Sequence, residues 1–190
     1  LYSSAASDVY KRQDSRGCQT ILTRNAVVRL APLADFTNTT VCLGSATEFT
    51  NTTTFPSGTQ SNPRYRWIFG QGVSESSLPS PTFLYANPGT YFVRLIATDD
   101  RGCIDTVQKE VIVNPLPSAT ITIDTVCAGE ITRFNVISTI GNPIQSYQWD
   151  FGDGVSENSR NTSHRYSAGN IYTVNLTLTD INGCINTVQG

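Results

Sequence analysis

The chain has 190 residues, with Lys+Arg 13 against Asp+Glu 15, a formal net charge of -2, a single His, five Cys and no Met. That balance, with a pI of 5.3, argues against a nucleic-acid or anionic-membrane surface, because too few basic residues exist for counterion release or charge steering. No run of 18 or more apolar residues occurs, and the first segment lacks the basic start and apolar middle of a secretory signal.

The length allows one or two compact domains. With no Met even at position 1, the chain reads as an internal piece of a longer open reading frame. Residues 1–13, LYSSAASDVYKRQ, differ in composition from the Thr/Ser/Asn-rich remainder, and their end resembles the translated mosaic end of transposon-based sequencing libraries. They are set aside as an adapter scar without structure of its own. Reading then starts at Asp14.

From there the chain repeats itself, and the cysteines reveal the period. Cys18, Cys103 and Cys184 each follow a Gly, in DSRGC, DDRGC and DINGC, at spacings of 85 (103-18) and 81 (184-103). Cys42 and Cys127 each lie in Val-Cys-x-Gly, 85 positions apart (127-42). YRWIFGQG at 65–72 matches YQWDFGDG at 147–154, and GCIDTVQ matches GCINTVQ. Residues 14–31 are therefore the tail of one repeat, 32–115 a complete repeat, and 116–190 a third that stops inside its last strand.

Inside each repeat the apolar runs are short, alternate with polar residues, and are rich in Thr, Val, Ile and Tyr, which is the period-2 pattern of half-buried strands. Tyr65, Trp67 and Phe69 alternate with Arg66, Ile68 and Gly70; Tyr147, Trp149 and Phe151 alternate with Gln148, Asp150 and Gly152. Both trios are expected to face a core. So are Tyr91, Val93, Leu95 and Ala97, and their counterparts Tyr172, Val174, Leu176 and Leu178. Asx and Gly residues at 87–89, 99–102, 152–154 and 180–183 supply the turns. Asn114-Pro115-Leu116-Pro117 forms a short, stiff linker to a strand at 119–123. Several short strands at regular spacing within about 85 residues predict an all-β chain of tandem sandwiches.

YQWDFGDG followed by HRYSAGNIYTVNLTLTD resembles the PKD (polycystic kidney disease) module, an Ig-like sandwich marked by a WDFGDG segment and a later Gly-x-Tyr-x-Val strand. The middle repeat departs from the first mark at Ile68 and Gln71, and the third departs from the second at Asn170. The added Val-Cys-x-Gly and Gly-Cys landmarks resemble the tandem form in large bacterial surface proteins. The resemblance implies an extracellular module without chemistry of its own.

The candidate chemistry is sparse. His164 aligns with Phe83, so its place does not demand an imidazole, and no second His or nucleophile motif supports a catalytic triad. The cysteines lack metal-site spacing. Asp150 and Asp153 are weak candidates for calcium, which takes six to eight oxygen ligands; capping of turn amides is the simpler role. Trp67 and Trp149 resemble sugar-stacking residues only until their inward alternation is considered. No cofactor is implied.

In a sandwich of the implied kind, Val-Cys-x-Gly and Gly-Cys fall at opposite ends, about 20 Å apart for a strand of about six residues, whereas bridged Cα atoms lie within about 7 Å. The preferred pairing is then Cys42 with Cys184, across the junction between consecutive repeats. The alternative is pairing within each repeat, Cys42 with Cys103 and Cys127 with Cys184.

The function expected is that of a non-catalytic spacer, stalk or adhesive region of a large bacterial protein that is secreted or displayed at the cell surface. Its partners would be neighbouring repeats and protein or carbohydrate ligands at the surface. The alternative is an accessory module that holds substrate or positions the catalytic domain of a secreted protease or polysaccharide-degrading enzyme. Neither nucleic acid nor a membrane span is expected.

Overall fold

A computed structural model describes residues 7–13, 16–17, 19–25, 30–56, 62–70, 72 and 74–190. Every regular element among them is a strand. Strands β1 (Ser7–Gln13) and β2 (Gln19–Asn25) form an antiparallel ladder, Ser7 opposite Asn25 and Gln13 opposite Gln19. This differs from the reading of 1–13 as a segment without structure: residues 7–13 pair along their whole length. The physical reason is that 19–25, QTILTRN, carries the β-favouring Thr20, Ile21 and Thr23 and offers an extended partner. Residues 1–6 and Cys18 lie outside the described residues, as does Gln71.

The middle repeat is built from β3 (Phe36–Asn38), β4 (Val41–Cys42), β5 (Thr47–Asn51), β6 (Arg64–Ile68), β7 (Glu75–Ser76), β8 (Thr82–Phe83), β9 (Gly89–Thr98) and β10 (Ile104–Asn114). One sheet has the order β3-β5-β8; the other is β4-β10-β9-β6-β7. All pairs are antiparallel except β4 on β10, which is parallel, with Val113 opposite Val41 and Asn114 opposite Cys42. The inward faces bury Phe36, Phe49, Trp67, Phe69, Val93, Leu95, Val111 and Val113 in one core. Tyr65 is half-buried against it.

The third repeat contains β11 (Ser118–Ile123), β12 (Ile131–Ile140), β13 (Ile144–Asp150), β14 (Ser156–Glu157), β15 (Thr162–Arg165), β16 (Asn175–Asp180) and β17 (Ile185–Gln189). Its sheets, β11-β12-β15 and β14-β13-β16-β17, repeat the arrangement. Phe134, Val136, Trp149, Phe151, Val174, Leu176 and Leu178 form its core, with Tyr147 packed at the margin. The two repeats differ at one edge. Residues 171–174 match the first half of β9 but carry no ladder; the Val174 carbonyl accepts from the Gly190 amide at 3.0 Å.

In each core the indole Nε1 donates to a backbone carbonyl, Trp67 to Leu78 at 2.9 Å and Trp149 to Ser159 at 3.0 Å. A buried tryptophan needs such a partner. Both indoles are fully enclosed, so their faces are core and not a sugar platform.

Candidate functional site

The residues with the strongest functional geometry lie where the two repeats meet. β10 ends at Asn114 and β11 begins at Ser118, so three residues span the joint. Two of them, Pro115 and Pro117, have fixed φ and leave little freedom. A Cβ at Gly141 (φ +100°) would sit 3.4 Å from the Leu116 carbonyl oxygen and Pro117 Cα, so this loop of the third repeat presses directly on the linker.

Across that joint a disulfide links Cys42 of the middle repeat to Cys184 of the third, with Cα atoms 5.6 Å apart. Each partner is held by its own repeat. On one side, β4 seats Cys42 opposite Asn114, and the Leu43 amide donates to the Asn114 carbonyl at 2.8 Å. On the other, buried Asp180 organises the β16 to β17 turn: its Oδ1 accepts from the amides of Asn182 (2.9 Å) and Cys184 (2.8 Å), and its Oδ2 accepts from Asn142 Nδ2 (3.0 Å). Burial pushes the Asp180 carboxyl up, but these bonds from Asn142 and the two amides outweigh it and hold the group below the ordinary carboxylate value.

Two further hydrogen bonds tie third-repeat side chains to the end of the middle repeat and the linker: Asn182 Nδ2 to Asn114 Oδ1 at 3.1 Å, and Asn186 Nδ2 to the Pro117 carbonyl at 2.9 Å. Asn114 is thus gripped from both repeats. Cys103 and Cys127 are free thiols, half-buried and exposed respectively. Cys103 lies at the start of β10 and Cys42 opposite its end. The 11-residue strand sets them roughly 36 Å apart at about 3.3 Å per residue, so the middle repeat cannot close Cys42 on Cys103.

The Asp150 and Asp153 turn is the second candidate. Asp150 Oδ1 accepts from the Gly152 amide at 3.0 Å and Asp153 Oδ1 from the Val155 amide at 3.1 Å. The other Asp153 oxygen accepts from His164 Nε2 at 2.7 Å, a bond that holds the Asp153 carboxyl below its ordinary value. His164 stacks on Phe151 with centroids 4.4 Å apart and meets the edge of Tyr166 at 4.7 Å; Tyr166 stacks on Tyr172 at 4.0 Å. The middle repeat builds the same row from Phe69, Phe83, Tyr85 and Tyr91, with the Phe83 ring stacked on Phe69 at 4.3 Å. An imidazole in a slot that takes a phenyl is a packing element. Among the described residues no group of three His, Cys, Asp or Glu side chains lies close enough to hold a metal ion.

The sequence reading missed Asn142, Asn182 and Asn186 as junction residues. Their polar type in turns was visible, but their partners lie 38, 68 and 69 positions away. It also missed the Asp153 to His164 bond, which no spacing rule signals.

Two small Ig-like sandwiches, joined by a proline linker and a covalent bond, define a modular array. The chain belongs to the PKD domain family, which matches residues 29–113 and 114–190. Collagenase ColA of Clostridium perfringens (strain 13 / Type A) is 50% identical over 44 residues, 23% of this chain and 4% of that protein. Pre-pro-metalloprotease PrtV of Vibrio cholerae is 28% identical over 128 residues, 65% of this chain and 14% of that protein. The chain therefore spans a small part of the curated relatives it matches. The crystal structure of the PKD1 domain of PrtV is 34% identical and covers 44% of this chain and 98% of its own, with a TM-score of 0.39. Among the described residues no helix is long and apolar enough to cross a membrane.

Proposed function

We propose that this chain is a length of non-catalytic shaft from a large bacterial protein that is secreted or displayed at the cell surface, and that its repeats space or present other domains. The Cys42 to Cys184 bond carries this reading. A bond between repeats contributes nothing to a binding pocket within either one, but it fixes their relative orientation, which a linker alone leaves free. It also suits an oxidising compartment. The repeat boundaries of this reading are 32–115 and 116–190, with 14–31 belonging to a preceding repeat.

By the same phase, Cys127 is the counterpart of Cys42 and Cys103 that of Cys184. Each is one half of a junction of the same design, so an array of such repeats would be stapled at every joint. The second reading, an accessory module of a secreted hydrolase, is compatible with the collagenase and metalloprotease names of the relatives.

The test is ¹⁵N relaxation of the whole chain, oxidised and reduced. A stiff shaft requires one anisotropic tumbling time for both repeats when oxidised and separate, shorter times after reduction or in Cys42→Ser. Independent tumbling in the oxidised protein would overturn the spacer reading.

A further inference from the structure

The outer face of the sheet β14-β13-β16-β17 carries an open trough of about 610 Å³, lined by Gln148, Asp150, Ser156, Asn175, Thr177 and Thr187. The ladders set these residues in two rows across the strands, Ser156, Asp150 and Asn175 in one and Gln148, Thr177 and Thr187 in the other. Trp149 and Leu176, between the rows, point the opposite way and are buried in the core, so the trough is the solvent side of the strands that build that core. The Thr177 and Thr187 hydroxyls lie 3.1 Å apart. Asp150 accepts from the Gly152 amide through Oδ1, and its other oxygen has no hydrogen-bond partner among the described residues.

The middle repeat covers the same place. Arg66, Ile68, Arg94, Ile96 and Thr106 stand where the third repeat has Gln148, Asp150, Asn175, Thr177 and Thr187. Arg66 grips Glu75 there through two bonds, Nε to Oε2 at 2.8 Å and Nη2 to Oε1 at 2.6 Å. A difference of one residue in turn length accounts for the missing carboxylate in the third repeat. The run GVSE occurs at 72–75 and at 154–157, but the Phe69 amide bonds Ser74 whereas the Phe151 amide bonds Val155. Glu75 therefore falls opposite Ile68 on the outer face, while Glu157 falls opposite Trp149 and Ser156 takes the outer place beside Asp150. A slip of one residue exchanges the faces of a strand, and with Gln148 in place of Arg66 no ion pair closes the trough.

We propose that this trough binds a neutral polysaccharide chain. The occupant follows from the groups that line it. Asp150 is the only charged residue among them, so an anionic ligand is repelled and a cationic one finds a single partner. Only Val155 adds an apolar side chain, which is too little to hold an apolar peptide. The backbones of β13, β16 and β17 are already laddered to one another across the floor, so no strand can be added there. Two primary amides, three hydroxyls and one carboxylate remain. The amides and hydroxyls donate and accept together, and the carboxylate accepts strongly from hydroxyls, which matches a ligand that presents many hydroxyls and no charge. The site rests on neither the disulfide nor the spacer reading.

The probes are cellohexaose, maltohexaose, laminarihexaose and mannohexaose, each titrated into the ¹⁵N-labelled full chain under oxidising conditions, with hexagalacturonate as the anionic counterpart. At least one neutral hexaose is expected to shift the side-chain amide signals of Gln148 and Asn175 saturably, with the backbone amides of Thr177 and Thr187, while those of Arg94 and Ile96 stay unmoved. Gln148→Arg together with Ser156→Glu rebuilds the Arg66 and Glu75 pair on the third repeat and is expected to weaken binding at least tenfold, read at Asn175, with the core amides of Leu176 and Leu178 unchanged. Thr187→Val, a single change of similar size at an exposed position, is expected to weaken it at least threefold. No shift with any of the four neutral sugars overturns the proposal. So does binding by either variant as tight as by the unmodified chain, or binding of hexagalacturonate as tight as that of the neutral hexaoses.

Discussion

Replacing Gly152 by Ala, with Gly154→Ala as its control, separates two costs that coincide in the WDFGDG turn. Both glycines have positive φ, +79° and +91°, and placing an L-residue there costs about 1–2 kcal/mol at either position. They differ in space. A Cβ at Gly154 meets nothing within 4 Å, whereas one at Gly152 would stand 2.5 Å from the Thr173 carbonyl oxygen and 3.1 Å from its nitrogen. That is backbone, which cannot rotate away, so the sheets must part locally at an overpacking cost of about 1–3 kcal/mol. Gly152→Ala should therefore destabilise the third repeat by roughly 2–5 kcal/mol and Gly154→Ala by only about 1–2 kcal/mol. Urea unfolding followed by tryptophan fluorescence reads this, with Trp67 reporting the middle repeat and Trp149 the third. At about 1 kcal/mol per molar urea for a domain this small, the Trp149 transition of Gly152→Ala should fall about 1–3 M below that of Gly154→Ala, and the Trp67 transition should not move. Equal midpoints for the two variants would refute the close approach of the turn to Thr173. Gly70, whose added Cβ would lie 2.6 Å from the Phe92 carbonyl oxygen, is the matching test in the middle repeat; there Phe92 is paired in a full ladder and yields less, so Gly70→Ala should cost at least as much.

Three other outcomes are expected. Tyr166→Phe removes the phenol that donates to the Phe151 carbonyl at 3.0 Å and should cost about 1–2 kcal/mol by urea unfolding; because burial pushes that phenol up to about 12, no phenolate absorbance should grow in for it below pH 11. Asp180 is held below its unfolded value, so its contribution is present above about pH 4 and is lost as pH falls through the lower folded value. Asp180→Asn should flatten that acid limb in pH-dependent melting of the third repeat, and an unchanged limb would count against the turn geometry. His164→Phe keeps the stack on Phe151, as Phe83 does on Phe69, and should change stability by less than about 1 kcal/mol while raising the Asp153 carboxyl toward its ordinary value, seen by carboxyl-carbon NMR.

Much of the fold was legible because strand periodicity and the internal repeat are local signals. The alternation around Trp67 and Trp149 places both indoles inside, and the paired Asx and Gly turns mark the hairpins. The residues 7–13 ladder went unread because composition, not pairing, was the basis for setting them aside. Of the junction, the cysteine phase was visible, while Asn114, Asn182 and Asn186 act through contacts some 70 positions apart that leave no trace in spacing.

In the chain-entropy view, a bond closing 142 positions restricts the unfolded ensemble by about 5 kcal/mol, yet its larger consequence is orientational. Without it, a joint of three linker residues and two side-chain bonds from Asn182 and Asn186 remains, and such bonds between exposed or partly exposed groups contribute about 1 kcal/mol each. Peptide mapping of the unreduced protein by mass spectrometry tests the covalent joint most directly. The account predicts a linked pair of peptides carrying Cys42 and Cys184, lost on reduction; recovery of Cys42 linked to Cys103, or of Cys127 linked to Cys184, would contradict it.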